Sequence, residues 1–273
     1  MSGSGPWAFL PDEDARLCQA FMDAGHVVVP SEDPDALLAI RKMAAEQAAF
    51  HLGLESPADA GAFLESVHGL VDSKGLNALR LSVFQGLNRV EDFRRQYYAL
   101  ASRALAAIVG NELAMQRRIN LSIQLPDDDS SLLPVHADVW SGDSPFEIVL
   151  WVPLVDCFGT KSMYLLPPQA DATVQSRLAD FAGSGTEDLF QAIADDVTFL
   201  SVPFGSVLLF SPNLMHGNRI NREQGTRWSF NCRFKAVLSP YADKRLGEFF
   251  EPLVIRPATR LGMAFRQPRG FHV

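Results

Sequence analysis

From about Met115 onward, polar and apolar residues alternate along short stretches of this chain, a pattern that leaves few folds open to it. Side chains of a strand point alternately to its two faces, so a period of two predicts strands rather than helices. Turn-forming pairs such as Pro126-Asp127 and Phe204-Gly205 separate the stretches. Many short strands at regular spacing favour a sandwich or jelly roll over alternating strand–helix units. The predicted strand regions are RRINLSIQL, FEIVLWVPLVD, SMYLLP, VTFLSV, SVLLFSP and RWSFNCRFKAVL.

The first third of the chain has helical spacing instead. Asp33 followed by Pro34 is typical of a helix N-cap and first helical residue, and Gly53 is a suitable stop for that helix. A second helix is predicted over residues 88–110. A further helical segment, at about 171–195, interrupts the strands, and we expect it to cover one end of the sheet as part of a lid.

Composition is that of an ordinary globular protein, with 273 residues of which 47% are hydrophobic and 21% charged. No repeat or linker divides the chain, so we expect one catalytic domain over 1–273. Its helical part would span about 1–114, its β core about 116–240 and a C-terminal extension 241–273. The predicted class is mainly β with flanking helices (α+β), with a jelly-roll or cupin-like core.

The charge, hydropathy and cysteine content disfavour several classes of partner, location and metal site. With 24 basic and 32 acidic residues, the net charge is −8, which disfavours nucleic acid. No run of about 20 apolar residues predicts a membrane span, and no basic segment followed by an apolar one predicts a secretory signal. The three cysteines include no CxxC pair. These features favour a cytoplasmic protein without a disulfide framework or a thiolate zinc site.

Two of the alternating stretches have one wholly polar face. In residues 118–125 every even position is polar, and in residues 227–234 every odd position is polar. Such a face either meets water on a half-exposed strand or lines the inside of a barrel around a ligand. Alternation alone leaves both interpretations open.

His136 and Asp138 lie two residues apart in the β region, so on a strand both side chains point the same way. His216, which follows the stretch SVLLFSP, is a candidate third partner. Two imidazoles and one carboxylate form the facial triad of non-haem Fe(II) sites, which leaves positions open for a co-substrate and O₂. An HxD pair by itself is a weak signal, and the alternative is two ordinary histidines in the core or on the surface.

Arg227 lies eleven residues after His216, within the second polar stretch. The planar guanidinium binds a carboxylate through two parallel charge-assisted hydrogen bonds. An arginine near an iron site is therefore a candidate anchor for the distal carboxylate of 2-oxoglutarate. The alternative is a surface salt bridge.

Together these residues resemble the phytanoyl-CoA-dioxygenase-like Fe(II)/2-oxoglutarate oxygenases. The resemblance is carried by HxD at 136–138, His216 within LMHGNRIN, Asn221 and Arg227. The stretch WVPLVD, which begins at Trp151, is similar to a strand of that family, as is the stretch that starts at Phe204-Gly205-Ser206. The resemblance implies a double-stranded β-helix over roughly 116–240, and oxidation by O₂ with release of succinate and CO₂. The implied roles are Fe(II) ligands for His136, Asp138 and His216, and 2-oxoglutarate contacts for Arg227, Trp151, Gln124 and Asn218.

The substrate side of the pattern departs from that family. Residues 160–163 (TKSM) and 167–169 (PPQ) replace its usual turn segments, so a fatty acyl-CoA is not inferred. Residues 136–156 and 249–265 are more similar to a bacterial branch, the sporadic carbohydrate cluster oxygenases. That branch implies a small polar substrate such as a sugar or sugar conjugate.

Substrate contacts are expected from the polar strand faces and from one aromatic ring. Arg118, Asn120 and Arg233 would point into the cavity and suit a polar or anionic substrate. Trp140 would stack on a sugar face, or alternatively pack as an aromatic residue at the rim. The carboxylate of Asp138 favours hydroxylation over halogenation, while desaturation, epimerisation and ring closure remain open.

Two other classes of function share the predicted scaffold. A metal-dependent cupin-type sugar isomerase or epimerase would use the histidines without O₂ or Arg227. A non-catalytic carbohydrate-binding jelly roll would need no metal. A homo-oligomer is compatible with any of the three.

Overall fold

Two antiparallel sheets form the centre of the structure. The computed structural model describes residues 5–266, so residues 1–4 and 267–273 of the expected domain lie outside the described residues. The strands are β1 (His26–Pro30), β2 (Leu113–Gln116), β3 (Asn120–Gln124), β4 (Glu147–Pro153), β5 (Tyr164–Leu165), β6 (Thr198–Phe199), β7 (Ser206–Phe210), β8 (His216–Gly217), β9 (Arg227–Ala236) and β10 (Phe250–Val254). The larger sheet has the order β1-β7-β4-β9-β2-β10 with β3 also on β9, and the smaller has the order β6-β5-β8.

Helices flank the sheets, which confirms the mixed α+β class. The α-helices are α1 (Asp12–Ala24), α2 (Pro34–His51), α3 (Ala60–Ser66), α4 (Ser73–Leu87), α5 (Phe93–Ala99), α6 (Ser102–Ile108), α7 (Pro168–Gln175), α8 (Thr186–Ile193) and α9 (Pro257–Ala264). Short 3-10 helices cover Val67–Gly69, Asp138–Ser141, Gly159–Lys161 and Leu178–Phe181. Within residues 5–266, none of the helices has the length and apolar character needed to cross a bilayer.

The first predicted helix is confirmed, and its capping is the reason. The Asp33 carboxylate accepts a hydrogen bond from the Ala36 N–H at 2.9 Å, and Pro34 is the first helical residue. The helix ends at His51, and Gly53 follows with φ at +70°. A left-handed residue of this kind reverses the chain after a helix, and glycine adopts it without steric penalty.

A single helix over residues 88–110 is wrong. The chain instead forms α5 and α6, with Ala101 between them in a non-helical conformation. Glu32, from the loop before α2, causes the break: its N–H donates to Leu100 O at 2.9 Å, and its carboxylate accepts from the N–H groups of Arg103 and Ala104. A residue distant in the sequence thus caps α6, and the local spacing of apolar residues cannot predict where such a break falls. The helix α4 was also not predicted.

Strand β9 is the centre of the larger sheet. It pairs with β4 along one edge, and along the other edge with β2 and then β3. Its apolar face packs against the helices: Trp228 Nε1 donates to Leu64 O at 2.8 Å, and the Phe230 ring lies 5.4 Å from that of Phe93 in an edge-on arrangement. The helical layer therefore covers one face of this sheet, and the polar residues of β9 face the other way.

The stretch RRINLSIQL is not one strand. The strand β3 begins only at Asn120, because the Asn88 side chain bonds both the N–H and the C=O of Ile119 at 2.9 Å. Arg118 therefore lies in a bend between β2 and β3, exposed to solvent. Beyond the bend, Leu121 and Ile123 are buried in the main core, whereas Asn120 and Ser122 line a cavity.

The segment between β5 and β6 is helical, as predicted, and comprises α7, a 3-10 turn and α8. It packs against the smaller sheet around Tyr164 and Phe190, whose rings lie 5.2 Å apart. No residue of 168–193 is among the residues that line the cavity between the sheets. The segment therefore supports the smaller sheet, and its expected role in a lid stays a prediction.

Candidate active site

A cavity of about 240 Å³ lies between the two sheets and brings the predicted metal ligands together. His136 and His216 face each other across an antiparallel bridge, with N–H to O distances of 3.0 and 2.8 Å between their backbones. The Asp138 N–H donates to Pro212 O at 2.9 Å. One ligand atom from each of the three residues lies within 4.8 Å of the other two.

Asp138 does not reach this point along a strand, as the sequence interpretation required. It is the first residue of a 3-10 helix, with extended backbone at Ala137 immediately before it. The convergence expected of His136 and Asp138 is present, but it depends on this turn and on the bond to Pro212. The local spacing therefore predicted that these two side chains converge, but it predicted a strand where the structure has a 3-10 turn.

Backbone carbonyls set the tautomer of both imidazoles. His136 Nδ1 lies 2.7 Å from Pro134 O, and His216 Nδ1 lies 2.8 Å from Leu214 O. Because a carbonyl can only accept, Nδ1 carries the hydrogen and the Nε2 lone pair is free. Both Nε2 atoms point at Asp138 Oδ1, at 3.5 and 3.8 Å. Three acceptor atoms that face one another in this way attract a cation.

The electrostatics of the cluster keep its carboxylate ionised. Burial lowers the pKa of His216 to about 4, so this imidazole is neutral at pH 7. Burial acts on His136 too, but contact with Asp138 outweighs it and raises the pKa of that imidazole. Burial opposes ionisation of Asp138, yet His136 and the Arg233 guanidinium together hold its pKa well below the usual range. A neutral imidazole and a carboxylate are the protonation states that bind metal.

Arg233 holds the second oxygen of Asp138. Its Nη2 donates to Asp138 Oδ2 at 2.6 Å, and its Nε lies 3.3 Å from Asp143 Oδ1. Asp143 is in turn bound by Lys244 at 2.6 Å. Arg233 lines the cavity as expected, but two carboxylates already engage its guanidinium. Its contact with substrate stays a prediction, whereas the contact with Asp138 is part of the site.

Glu147 lies behind this ion-pair network on β4. It is 1% exposed, Ser144 N donates to its Oε1 at 2.9 Å, and its Oε2 has no hydrogen-bond donor among the described residues. Burial, with the neighbouring charge of Asp143, raises the pKa of Glu147 to about 7. The network therefore includes a carboxyl group that titrates near neutral pH.

Arg227 is buried in the same cavity without a partner of opposite charge. It is 3% exposed, and its Nη2 donates to Ser122 Oγ at 2.9 Å. Its Nε has no acceptor, and no carboxylate of residues 5–266 lies within 4.0 Å of the guanidinium. Burial lowers the pKa of Arg227 to about 10, so it remains charged at neutral pH. The surface salt-bridge interpretation is wrong.

The other predicted co-substrate residues lie around Arg227 in different ways. Trp151, on β4, lines the cavity. Asn218 lines it too, but its amide accepts from Leu133 N at 2.6 Å and donates to Ser131 O at 3.2 Å, and so holds that loop against β8. Gln124 pairs with Arg227 in the β3–β9 register, is fully buried, and donates to the Arg219 carbonyl. It is not among the residues that line the cavity.

Two of the predicted substrate contacts lie elsewhere. Arg118 is exposed in the bend before β3 and does not line the cavity. The Asn88 side chain bonds Ile119, so β3 begins after Arg118 and does not include it. Trp140 is 41% exposed on the 3-10 helix and is also outside the lining. Asn120 does line the cavity, where its amide donates to Asn231 Oδ1 at 3.2 Å.

Several site residues were not predicted. Ser122 and Asn231 line the cavity, and the signal for them was present, since both belong to the polar faces of the alternating stretches. Asp143 and Glu147 had no such signal, because only the folded chain places them behind Arg233.

The sequence has no match among protein-family models or curated proteins, whereas solved structures match its fold. SnoK, a non-heme alpha-ketoglutarate-dependent carbocyclase from nogalamycin biosynthesis, is 15% identical, with 93% of this chain and 100% of SnoK covered and a TM-score of 0.54. AviO1 from Streptomyces viridochromogenes Tue57 is 17% identical, with 84% and 97% covered and a TM-score of 0.52. The non-heme monooxygenase ThoJ, in its apo form, is 13% identical, with 88% and 84% covered and a TM-score of 0.52. At these identities the likeness shows a shared fold.

Proposed function

We propose that this protein is a non-haem Fe(II)- and 2-oxoglutarate-dependent oxygenase on a double-stranded β-helix fold, acting on a small polar, carbohydrate-like substrate. One observation carries the proposal. The cavity that holds the convergent atoms of His136, Asp138 and His216 also holds the buried, unpaired guanidinium of Arg227. A metal site alone would not require a buried cation without a counter-charge, whereas a dianionic co-substrate supplies one.

The three acceptor atoms fit Fe(II). Two neutral imidazole nitrogens and one carboxylate oxygen are the facial triad of non-haem iron, and we assign His136, Asp138 and His216 as its ligands. When bound with 2-oxoglutarate, iron would supply O₂-dependent oxidation of a substrate C–H bond, with release of succinate and CO₂. The dependence of SnoK on alpha-ketoglutarate is consistent with this pairing on the shared fold.

Arg227 and Ser122 fit the far carboxylate of 2-oxoglutarate. The guanidinium offers a planar pair of donors, and the serine hydroxyl fixes its Nη2 at 2.9 Å. Because Arg227 is buried, a carboxylate there is bound at low dielectric, where a charge-assisted pair is strong. We place Trp151 beside the co-substrate, and Gln124 and Asn218 as supports of the surrounding backbone.

The chain itself orients the metal ligands. The carbonyls of Pro134 and Leu214 hold the two imidazoles in the tautomer that leaves Nε2 free. Arg233 binds Asp138 Oδ2, so that Oδ1 is the oxygen turned toward the histidines. Outer contacts of this kind fix ligand geometry and are as much a part of a metal site as the ligands.

We propose hydroxylation as the outcome, because Asp138 fills the ligand position that related halogenases leave to chloride. The neighbours on this fold include a carbocyclase and a monooxygenase, so one scaffold serves different outcomes. The assignment to the phytanoyl-CoA-dioxygenase-like group and its carbohydrate branch belongs to the same proposal and rests on the sequence resemblance. A panel of sugars and sugar conjugates, scored by stimulated succinate formation and by product mass, tests it.

The central test is anaerobic addition of Fe(II) and 2-oxoglutarate to the purified protein. Chelation of the 2-oxo acid at the metal should give a weak visible charge-transfer band. The band should be lost in His216→Ala and in Asp138→Ala, and kept in His51→Ala, which removes an exposed histidine at the end of α2. A folded, metal-loaded wild-type protein without the band would overturn the oxygenase proposal and favour the isomerase or carbohydrate-binding alternative.

A further inference from the structure

A second pocket, here called the outer pocket, adjoins the metal cavity. It lies between the start of α4 (residues 73–80), strand β3 and the segment 130–133, and has a volume of about 460 Å³. Ser122, Leu133 and Asn231 line both spaces. The two spaces are therefore neighbours, separated by these three residues.

The outer pocket carries one formal charge, that of Arg80. The Arg80 residue is half-buried, and its Nη2 donates to Asn77 Oδ1 at 2.8 Å in an exposed hydrogen bond. No carboxylate of residues 5–266 lies within 4.0 Å of it, and no acidic residue lines the pocket. Serines also line the pocket, and the hydroxyl of one of them, Ser130, donates to Asp128, which is outside the lining.

An uncompensated cation in a polar pocket is the arrangement that selects an anion. The protein as a whole is acidic, with a net charge of −8, so its overall charge does not itself attract anions. The bond from Arg80 to Asn77 engages Nη2, and the other guanidinium nitrogens have no partner in the structure described. Those donors are therefore unpaired, on a residue that lines the outer pocket.

The metal cavity is small for a substrate and a co-substrate together. At about 240 Å³ the cavity is smaller than the ~300–1,000 Å³ of sites that enclose drug-sized ligands, and 2-oxoglutarate would occupy much of it. A substrate that does not fit in the remaining space would extend outward, and the outer pocket lies next to the metal cavity at Ser122 and Asn231.

We propose that the outer pocket is the substrate subsite, and that Arg80 binds a carboxylate or phosphate of a hydroxylated small molecule whose reacting carbon lies in the metal cavity. The proposal rests on the proposed function for the identity of the cavity. It separates the two arginines by role, with Arg227 for the co-substrate and Arg80 for the substrate. It also replaces Arg118, which the sequence had suggested for the anionic contact.

The test uses protein loaded anaerobically with Fe(II) and 2-oxoglutarate. Inorganic phosphate and acetate are the probes, each added at millimolar concentration in exchange for chloride at constant ionic strength. The thermal unfolding midpoint is measured, because a ligand of the folded state raises it in a saturable way. At least one probe should stabilise the wild type, and Arg80→Gln should weaken that binding by at least ~10-fold, the loss of a charge-assisted contact.

Two matched variants complete the design. Arg118→Gln removes an exposed arginine outside both cavities and should bind the probe as the wild type does. Arg80→Lys keeps the charge and should retain part of the binding. A response to phosphate alone indicates a phosphorylated substrate, and a response to acetate alone a carboxylated one.

The charge-transfer band, recorded in the same samples, separates the two proposals. If the band persists and neither anion binds, the outer-pocket proposal is overturned and the oxygenase proposal stays intact. The same holds if the band persists and Arg80→Gln binds the anion as the wild type does. Loss of the band on addition of the anion would place the anion in the metal cavity, at the metal or at Arg227, and also overturns the subsite. If the wild type gives no band, the oxygenase proposal fails, and binding that depends on Arg80 is scored on the metal-free protein.

Discussion

Replacing Arg227 by glutamine should stabilise the ligand-free protein and at the same time weaken co-substrate binding. Burial lowers the pKa of Arg227 from 12.5 to about 10, which corresponds to an unfavourable term of about 3 kcal/mol for the charged form in the folded state. The folded-state pKa is the lower one, so this term is fully present at neutral pH and disappears only as the pH rises between 10 and 12.5. Glutamine removes the charge and keeps a polar side chain, but its amide ends near the position of Arg227 Nε and no longer reaches Ser122 Oγ, which Nη2 contacts.

The expected gain is smaller than that term, because the glutamine amide must also be desolvated and the bond to Ser122 is lost, which together cost about 1–2 kcal/mol. We expect the free energy of unfolding of ligand-free Arg227→Gln to rise by about 1–2 kcal/mol, measured by urea denaturation. Loss of the buried charge pair with the co-substrate carboxylate should cost about 2–5 kcal/mol, or roughly 30- to several-thousand-fold in 2-oxoglutarate affinity. Anaerobic titration of the charge-transfer band measures that affinity.

The control is Arg222→Gln, which removes an exposed arginine that contacts Asp127. It should change stability by less than about 0.5 kcal/mol and leave 2-oxoglutarate affinity unaltered. If Arg227→Gln lowers the stability of the ligand-free protein and binds 2-oxoglutarate as tightly as the wild type, Arg227 is a structural residue and the reasoning is refuted.

Three further perturbations test the structure around the site. Burial raises the pKa of Glu147 from 4.5 to about 7, so the free energy of unfolding of the wild type should fall as the pH rises through that range. Glu147→Gln lacks this titration, so its free energy of unfolding relative to the wild type should increase by about 2–3 kcal/mol between pH 5 and pH 8, measured with urea. A difference that does not change with pH would contradict this. Tyr97→Phe deletes a buried bond to Leu150 O of 2.7 Å and should lower the free energy of unfolding by about 1–2 kcal/mol, whereas an unchanged urea midpoint would show that the bond contributes nothing. In Gly217→Ala the new Cβ would lie 2.8 Å from Leu133 O, so β8 must shift and metal affinity should fall about 10- to 100-fold by calorimetry; wild-type affinity would mean that the loop yields instead.

Features fixed by backbone geometry were predictable from the sequence. The helix α2 was predictable because Asp33 caps it and Pro34 starts it, and these contacts lie within four residues of chain. The side chains that share one face of β3, and those that share one face of β9, were also predictable, since a strand turns every second side chain to the same side. This periodicity is local, so it placed Asn120 on one polar face and Arg227 with Arg233 on the other before any tertiary contact was known.

Tertiary structure decided which of those groups are free to bind. Arg227 and Arg233 lie on the same face of one strand, yet one is unpaired and the other is bound by Asp138 and Asp143. Their difference depends on residues about ninety positions away in the chain, and no local pattern records such a distance. The same holds for Arg118, which the Asn88 side chain excludes from β3.

The sequence by itself therefore determined the kinds of chemical group on each face and the pairing of HxD with a later histidine. The fold alone determined that the polar faces meet a cavity and not solvent, and that Arg80 of α4 lines the adjoining outer pocket. The physical reason is that the face of a strand residue and the local cap of α2 follow from neighbouring dihedral angles. Burial, charge compensation and pKa follow instead from elements that meet only when the chain is packed.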